Sequence, residues 1–149
     1  MRIYILGSVA SGKTTLARRL SSALGIPHCE LDNIVWERIG DRYRQRPDEE
    51  QLRLFHERVD TGGWVIEDMG REIFGEGLEL ADVIVLIRIG RLLRNLRILT
   101  RWFRQRMGLE ECYYKPDLFI LRVIARDAFA YDRREPELIR RLERYGGKL

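Results

Sequence analysis

The residues best suited to chemistry in this sequence form a glycine-rich run near the N-terminus, from Gly7 to Thr14 (GSVASGKT). Its spacing is G-x-x-x-x-G-K-[ST], in which successive backbone N–H groups curl around the phosphates of a nucleotide. Lys13 is expected to reach the β- and γ-phosphates, and the Thr14 hydroxyl is expected to bind Mg²⁺. The predicted nucleotide-binding residues are Gly7, Ser8, Ala10, Ser11, Gly12, Lys13, Thr14 and Thr15. No base-reading motif such as N-K-x-D accompanies the run, so ATP is expected and GTP stays open.

Two acidic segments and one arginine are candidates for the metal and for a phosphoryl acceptor. Asp32 follows a short apolar segment, where it could hold a metal-bound water, take a proton from a substrate hydroxyl, or simply cap a turn. Glu67 and Asp68 end another predicted strand, and we favour Glu67 as the residue that organises the Mg²⁺ shell. Arg71 could clamp an acceptor phosphate or carboxylate, or be an ordinary helix-start arginine.

A row of arginines lies in the second half of the chain. Seven of the 27 basic residues fall between residues 83 and 109, which hold no acid. Five of them are spaced as one stripe of a helix and are here called the arginine row: Arg91, Arg94, Arg97, Arg101 and Arg104. The row could neutralise a transferring phosphoryl group or bind the backbone of a nucleic acid. A neighbouring stripe, Leu92, Leu96, Leu99 and Phe103, is expected to pack on the core.

The elements that must position these residues alternate between strands and helices. Strands are predicted at 2–6, 28–31, 64–66 and 83–89, the last of them buried on both faces. Helices are predicted at 12–24, after Pro47, at 71–81, at 91–106, at 117–129 and at 136–145, with loops at 32–46 and 107–116. This alternation predicts an α/β three-layer sandwich in which helices cover both faces of a parallel sheet.

Composition limits the class of protein without naming a function. The 149 residues suffice for one domain, and 45% are hydrophobic and 34% charged, as in ordinary globular proteins. No apolar run has the length of a membrane span. Cys29 and Cys112 lack metal-type spacing and are expected to be reduced thiols of a cytoplasmic protein.

Three segments together resemble a known family. They are residues 7–17, the stretch from Glu30 to Trp36 (ELDNIVW) and the stretch from Trp64 to Glu67 (WVIE). They are similar to the bacterial DNA-topology-modulation proteins, an adenylate-kinase-related branch of the P-loop kinases. The likeness extends over nearly the whole chain. It implies a P-loop core at about 1–31, 62–90 and 117–149, an acceptor-binding insert at about 32–61 and an arginine-bearing lid at about 91–116.

The resemblance also implies site residues and a sheet order. Glu67 and Arg71 stand where nucleotide kinases carry an acid and a phosphate-binding arginine, and Arg97 and Arg101 are the favoured lid arginines, with Arg94 as a further candidate. No residues follow Leu149 to form the fifth strand of the relatives, so four strands in the order 2-3-1-4 are expected. The implied catalytic set is Lys13, Asp32, Glu67, Arg97 and Arg101.

Two functions from different classes follow. The first is an ATP- and Mg²⁺-dependent kinase-like enzyme acting on a nucleotide or another small molecule. The second is a nucleotide-gated protein that binds DNA or RNA through the arginine row. The acceptor and the oligomeric state are not specified by the sequence.

Overall fold

The computed structural model describes residues 1–40, 42–110 and 116–149, and within these ranges it shows a parallel sheet flanked by helices and a separate hairpin. The strands are β1 (Arg2–Gly7), β2 (His28–Glu30), β3 (Trp36–Ile39), β4 (Arg42–Gln45), β5 (Trp64–Asp68) and β6 (Val83–Ile87). The helices are α1 (Lys13–Leu24), α2 (Leu31–Val35), α3 (Asp48–Val59), α4 (Glu76–Leu80), α5 (Arg91–Arg106) and α6 (Leu118–Glu143), with a 3-10 turn at Glu72–Phe74.

The sheet order is β2-β5-β1-β6 with all pairs parallel, which confirms the expected order 2-3-1-4 for the four core strands. Ile5 of β1 lies opposite Glu67 of β5, and Leu6 lies opposite Asp68. Because Gly7 follows Leu6, the register places both acids level with the start of the glycine-rich loop. Ligands of open parallel sheets bind at this carboxyl edge.

Alternating side chains of the central strands build two cores, one on each face of the sheet. On one face Ile3, Ile5 and Val65 pack with Ala17 of α1. The larger core on the other face joins the sheet to α2, α3, α4 and α6. Its members with under 2% exposure include Tyr4, Leu6, Leu31, Phe55, Trp64, Ile66, Phe74, Ile84 and Leu142. This packing confirms the three-layer arrangement.

The segment 32–46, predicted as a loop, is structured. It forms the short helix α2 and the antiparallel hairpin β3–β4, in which Trp36 pairs with Gln45. The hairpin shows no buried face among its described side chains, since Trp36, Ile39 and Tyr43 are all more than 40% exposed. An exposed hairpin lacks the alternation of buried and exposed positions by which a strand is predicted from sequence.

Strand β6 was predicted to be buried on both faces, and this is wrong. It is the edge strand of the sheet, where Val83 is 37% exposed and residues 85–87 are half-buried. The C-terminal residues cover part of this edge, because the Ile84 N–H donates to the Lys148 carbonyl at 2.7 Å.

Helix α6 runs without interruption where two helices were predicted. Pro136 lies inside it, so the helix lacks the N–H that would bond the carbonyl of Asp132. Tyr131, Leu138 and Leu142 are nevertheless all buried along one face of the helix. Their burial offsets the roughly 3 kcal/mol that an interior proline costs a helix. The predicted helix at 71–81 is instead split into the 3-10 turn and α4.

The apolar stripe of α5 was predicted to pack on the core, and this is also wrong. Leu92, Leu96, Leu99 and Phe103 are 83%, 61%, 44% and 57% exposed. The buried face carries Arg94, Ile98, Trp102 and Gln105. The Trp102 indole N–H donates to the Asp117 carbonyl at 3.0 Å, which fixes this face against the start of α6.

Two sequence predictions involve residues that the structure does not describe. The loop predicted at 107–116 lies in part outside the described residues, and Cys112 lies entirely outside them. Within the described residues, no helix combines the length and the apolar composition that crossing a membrane requires.

Candidate active site

The glycine-rich loop connects β1 to α1 in a tight turn. Ala10 and Gly12 adopt left-handed backbone angles, with φ of 56° and 100°. At Gly7, a β-carbon would lie 2.8 Å from both the Ile87 carbonyl oxygen and the Ser11 hydroxyl oxygen. Glycine is therefore required for the loop to pass this close to β6, and the turn directs the N-terminus of α1 towards the loop.

The inside of the loop holds polar groups suited to phosphate. The Ser11 hydroxyl is buried and has no hydrogen-bond partner among the described residues. The Lys13 ammonium donates to the Ser8 carbonyl at 2.8 Å, folded back onto the loop. Burial lowers the pKa of Lys13, although the Glu67, Asp32 and Asp68 carboxylates oppose this. A bound phosphate would offer both side chains an anionic acceptor. Thr15 is exposed on the first turn of α1.

Glu67 lies at the centre of a buried polar cluster beside α1. Its Oε2 accepts a hydrogen bond from the Thr14 hydroxyl at 3.0 Å, and its Oε1 lies 3.0 Å from His28 Nε2. Burial raises the pKa of Glu67, and the Glu30 carboxylate raises it further, whereas Thr14, Lys13 and His28 lower it. The ionised carboxylate is thus held in a place where a nearby cation would stabilise it.

This cluster fits a divalent metal. The ligand atoms of His28, Glu30 and Glu67 lie within 4.8 Å of one another, and the Thr14 hydroxyl adjoins them. Mg²⁺ prefers oxygen ligands and keeps several waters, which one or two carboxylates and a hydroxyl can hold. Thr14 and Glu67 were predicted from the sequence. His28 and Glu30 were not assigned to the metal, and their position beside Glu67 depends on the pairing of β2 with β5.

The acceptor candidates Asp32 and Arg71 are in direct contact. Arg71 Nη2 donates to Asp32 Oδ1, and Arg71 Nη1 donates to Asp68 Oδ1 at 2.5 Å. The Asp68 carboxylate also accepts from the backbone N–H groups of Gly70 and Arg71, at 2.8 and 2.6 Å. Asp68 is fully buried, whereas Asp32 is 59% exposed. Asp68 therefore holds the arginine in place, and Asp32 is left accessible at the edge of the sheet.

The arginine row divides into three parts. Arg91 and Arg94 contact Asp132 on α6, the former at 3.2 Å and the latter through two hydrogen bonds of 2.5 and 2.8 Å. Arg97 reaches the glycine-rich loop, where its Nη1 lies 3.4 Å from the Ser11 carbonyl and 3.5 Å from that of Ala10.

The last two members of the row, Arg101 and Arg104, pair with Glu110 at 3.2 and 3.6 Å. Asp132 and Glu110, which lie outside residues 83–109, thus compensate four of the five arginines of the row. Of the predicted lid arginines, Arg97 contacts the glycine-rich loop, and Arg94 is a buried partner of Asp132.

Comparisons with known proteins agree with the fold described above. A gluconokinase from Sinorhizobium meliloti superposes with a TM-score of 0.51 and 16% identity, covering 97% of this chain and 94% of its own. A shikimate kinase from Bacteroides thetaiotaomicron superposes with a TM-score of 0.56 and 18% identity, covering 93% of this chain and 82% of its own. At these identities the likeness establishes the fold alone, an α/β fold that this chain shares with the two kinases.

One curated protein is similar in sequence. The bifunctional shikimate kinase/3-dehydroquinate synthase of Thermotoga maritima is 30% identical over a match of 83 residues, and the match covers 46% of this chain. The chain spans only 17% of the length of that protein. The sequence matches no protein-family model.

Proposed function

We propose that this chain is an ATP- and Mg²⁺-dependent, adenylate-kinase-like phosphotransferase that moves the γ-phosphoryl group of ATP to a nucleotide or another small hydroxylated molecule. The observation that carries the proposal is the contact of Thr14 with Glu67 directly beneath the glycine-rich loop. It joins a phosphate cradle to a metal-binding carboxylate, while Asp32 and Arg71 lie at the same edge of the sheet. The kinase fold shared with gluconokinase and shikimate kinase supports the same reaction class.

The donor side follows from the loop. Lys13 leaves the Ser8 carbonyl and binds the donor phosphates together with the loop N–H groups. Glu67 orients the Thr14 hydroxyl by accepting a hydrogen bond from it. Thr14 and Glu67 would provide oxygen ligands for Mg²⁺, which would neutralise part of the phosphate charge. Arg97 adds a positive charge at the rim of the loop.

The acceptor side follows from Asp32. With a hydroxylated acceptor, the hydroxyl oxygen forms a bond to the γ-phosphorus as the bond from that phosphorus to the bridging oxygen of ADP breaks, and the hydroxyl proton passes to Asp32. With a nucleoside monophosphate, an oxygen of its phosphate forms the new bond and no proton passes to Asp32. Arg71 keeps Asp32 in one orientation through its guanidinium, which Asp68 holds from the other side. Arg101 can approach the transferring group once its ion pair with Glu110 opens. Positioning and charge neutralisation account for most of the catalysis in such reactions.

The test is release of ADP from Mg-ATP, measured alone and with a panel of acceptors that includes nucleoside monophosphates, gluconate and shikimate. We expect an acceptor-dependent rate that Lys13→Ala abolishes and Asp32→Asn lowers about a hundredfold or more. Matched controls are Arg19→Ala and Asp60→Asn, which change exposed residues away from the site. Slow ADP release that no acceptor stimulates would contradict the proposal.

A second candidate function is a nucleotide-gated protein that binds nucleic acid through α5. The observation in its favour is that Arg97 contacts the glycine-rich loop while Arg101 and Arg104 on the same helix are more than half exposed. Binding of DNA or RNA should then weaken with about one unit of log–log salt slope per phosphate contact, and should change when Mg-ATP is added. Binding that is absent at low salt, or indifferent to Mg-ATP, would exclude this function.

A cytoplasmic location fits both candidates, since ATP and Mg²⁺ are supplied there. We therefore propose a cytoplasmic location, which can be tested by fractionating cells and measuring in which fraction the tagged protein is found.

A further inference from the structure

One face of α5 is apolar and lies open to solvent. Its side chains are those of the apolar stripe, Leu92, Leu96, Leu99 and Phe103, which are 44–83% exposed. Leu92, Leu96 and Phe103 each precede a buried residue by two positions, and two residues turn a helix through about 200°. The stripe therefore faces away from the core, where the described residues leave it uncovered.

The apolar surface continues beyond the end of α5. Four further apolar side chains there are at least 60% exposed: Met107, Leu109, Leu118 and Phe119. The Trp102 indole donates to the Asp117 carbonyl at 3.0 Å, which places the start of α6 beside the last turns of α5. Exposed apolar side chains gathered on neighbouring elements in this way mark a surface that binds a partner or a membrane.

Positive charge flanks the stripe. Helix α5 carries six arginines and no acid, and the carboxylates that pair with it in the described part of the chain are those of Asp132 and Glu110. Six positive charges against two negative ones leave an excess of four. Arg104 and Arg106 follow Phe103 by one and three residues, so they lie on opposite sides of it around the helix.

The exposed arginines can act together with the stripe. The side chains of Arg101 and Arg104 are 55% and 59% exposed even while they contact Glu110. An arginine can lay its aliphatic stem along an apolar surface and keep its guanidinium group among polar partners. The face is thus built for a partner that is apolar inside and negatively charged at its surface.

This requirement separates the possible classes of partner. A nucleic acid offers phosphates to the arginines but would leave the leucines in water. A second copy of the chain would cover the leucines but would bring the same excess of positive charge against it. A bilayer with anionic lipids meets both demands, because its headgroups are negatively charged and its acyl chains accept the leucines.

We propose that α5 binds the surface of a bilayer that contains anionic phospholipids. The helix lies parallel to the membrane, with the apolar stripe at the boundary of the acyl chains and the arginines among the headgroups. From Leu92 to Phe103 the helix rises about 16 Å, and because the four side chains form one line, all of them reach the same depth.

Binding at the surface needs no helix that spans the bilayer, and within the described residues no such helix is found. The cytoplasmic leaflet carries anionic lipid, so the inference agrees with the proposed location. It does not depend on the proposed phosphotransferase function, since it uses neither the glycine-rich loop nor the metal cluster.

The experiment is co-sedimentation of the full chain with vesicles of phosphatidylcholine alone and of phosphatidylcholine with about 30% phosphatidylglycerol. We expect binding to the anionic vesicles that is about tenfold or more tighter than binding to the neutral ones. About 1 M salt, at which the Debye length is about 3 Å, should weaken it.

Two variants test the two kinds of contact. Leu92→Gln/Leu96→Gln changes exposed side chains only, so its melting temperature should equal that of the parent, and its binding to anionic vesicles should fall about tenfold or more. Arg104→Gln removes one charge and should weaken the same binding about fivefold.

The matched controls change exposed residues of the same kinds on other elements. Ile39→Gln alters the hairpin β3–β4, where Ile39 is 52% exposed, and Arg126→Gln alters α6, where the side chain is 77% exposed. Neither control should change binding to vesicles of either composition.

Binding to neither kind of vesicle, or equal binding to both, would overturn the inference. Binding that Leu92→Gln/Leu96→Gln leaves unchanged would overturn it as well, because the stripe would then take no part. Sedimentation equilibrium without vesicles tests the second copy: a dimer that the leucine variant dissociates, in a protein that ignores vesicles, would assign the stripe to self-association. Retardation of a DNA duplex that Arg104→Gln weakens and the leucine variant does not, again without vesicle binding, would assign the arginines to nucleic acid.

Discussion

The pair formed by Arg94 and Asp132 is expected to stabilise the fold and to take no part in phosphoryl transfer. Arg94 is 4% exposed and the Asp132 side chain 11% exposed, and two hydrogen bonds of 2.5 and 2.8 Å join them. Asp132→Ala removes the carboxylate and leaves a buried guanidinium whose Nε already has no partner. The Asp132→Ala variant therefore tests whether this ion pair holds α5 against α6.

The size of the effect follows from burial. Removing one partner of a buried ion pair costs about 3–5 kcal/mol, and the remaining exposure of Asp132 places this pair at the lower end, at about 3 kcal/mol. For a chain of this length each kcal/mol lowers the melting temperature by about 2–4 °C, so a fall of about 6–12 °C is expected.

The assay is urea unfolding of the parent, of Asp132→Ala and of Asp127→Ala. Asp127 is the matched control, since it lies on the same helix with a 52% exposed side chain and a single 3.9 Å ion pair. Its loss should cost less than about 0.5 kcal/mol. The double variant Arg94→Met/Asp132→Leu should recover more than half of the lost stability, because no buried charge is then left unpaired.

The pH dependence gives an independent check. The hydrogen bond from Arg94 lowers the pKa of Asp132, burial opposes it, and the charges of Arg94 and Arg91 add to the lowering. A carboxylate whose pKa is lowered on folding stabilises the protein at pH values above its ordinary, unfolded-state pKa of about 4. This contribution is lost as the pH falls through the folded-state pKa. The difference between parent and Asp132→Ala should therefore shrink below about pH 4. Equal stability of Asp132→Ala and Asp127→Ala at pH 7 would refute the reasoning.

Two further predictions concern the site. Because burial raises the pKa of Glu67, its ionised form destabilises the ligand-free protein at neutral pH, so Glu67→Gln should raise the ligand-free melting temperature while weakening Mg-ATP binding. In calorimetric titrations at decreasing pH, the parent should begin to lose Mg-ATP affinity at a higher pH than it would if Glu67 had the ordinary pKa of a glutamate. The Glu67→Gln variant should not show this loss. Gly70→Ala should cost about 2 kcal/mol or more, from left-handed strain and the Leu138 contact, whereas Gly62→Ala, with no neighbour within 4 Å, should cost almost nothing in urea unfolding.

Several features of the fold could be predicted because they depend on short-range pattern. The glycine-rich loop, the strand before it and the helix after it are encoded within about 25 residues. The order of the four parallel strands followed from the family resemblance and was confirmed. The hairpin β3–β4 could not be predicted, because its exposed side chains carry no alternation. The continuity of α6 through Pro136 depends on burial of Tyr131 and Leu138, which the local sequence does not reveal.

The candidate site was predictable in its donor half and less so elsewhere. Lys13, Thr14 and Glu67 could be proposed because their places in the fold depend on motif spacing and strand ends, and the structure does bring Thr14 against Glu67. The sequence prediction favoured Glu67 over Asp68. Both are buried, and because they are adjacent on β5 their side chains point to opposite faces of the sheet. The role of Arg94 depends on Asp132, 38 residues away, and no spacing rule connects them. The buried face of α5 was misassigned because the helix carries two apolar stripes, of which the one with Ile98 and Trp102 is buried.

The measurement that tests the central claim most directly is the fate of the γ-phosphate. The protein is incubated with Mg²⁺, γ-labelled ATP and the acceptor that stimulates ADP release most, and the products are separated. The account predicts label on the acceptor, in an amount equal to the ADP formed, and none with Lys13→Ala. Label recovered only as inorganic phosphate, or label transfer that survives Lys13→Ala, would contradict it.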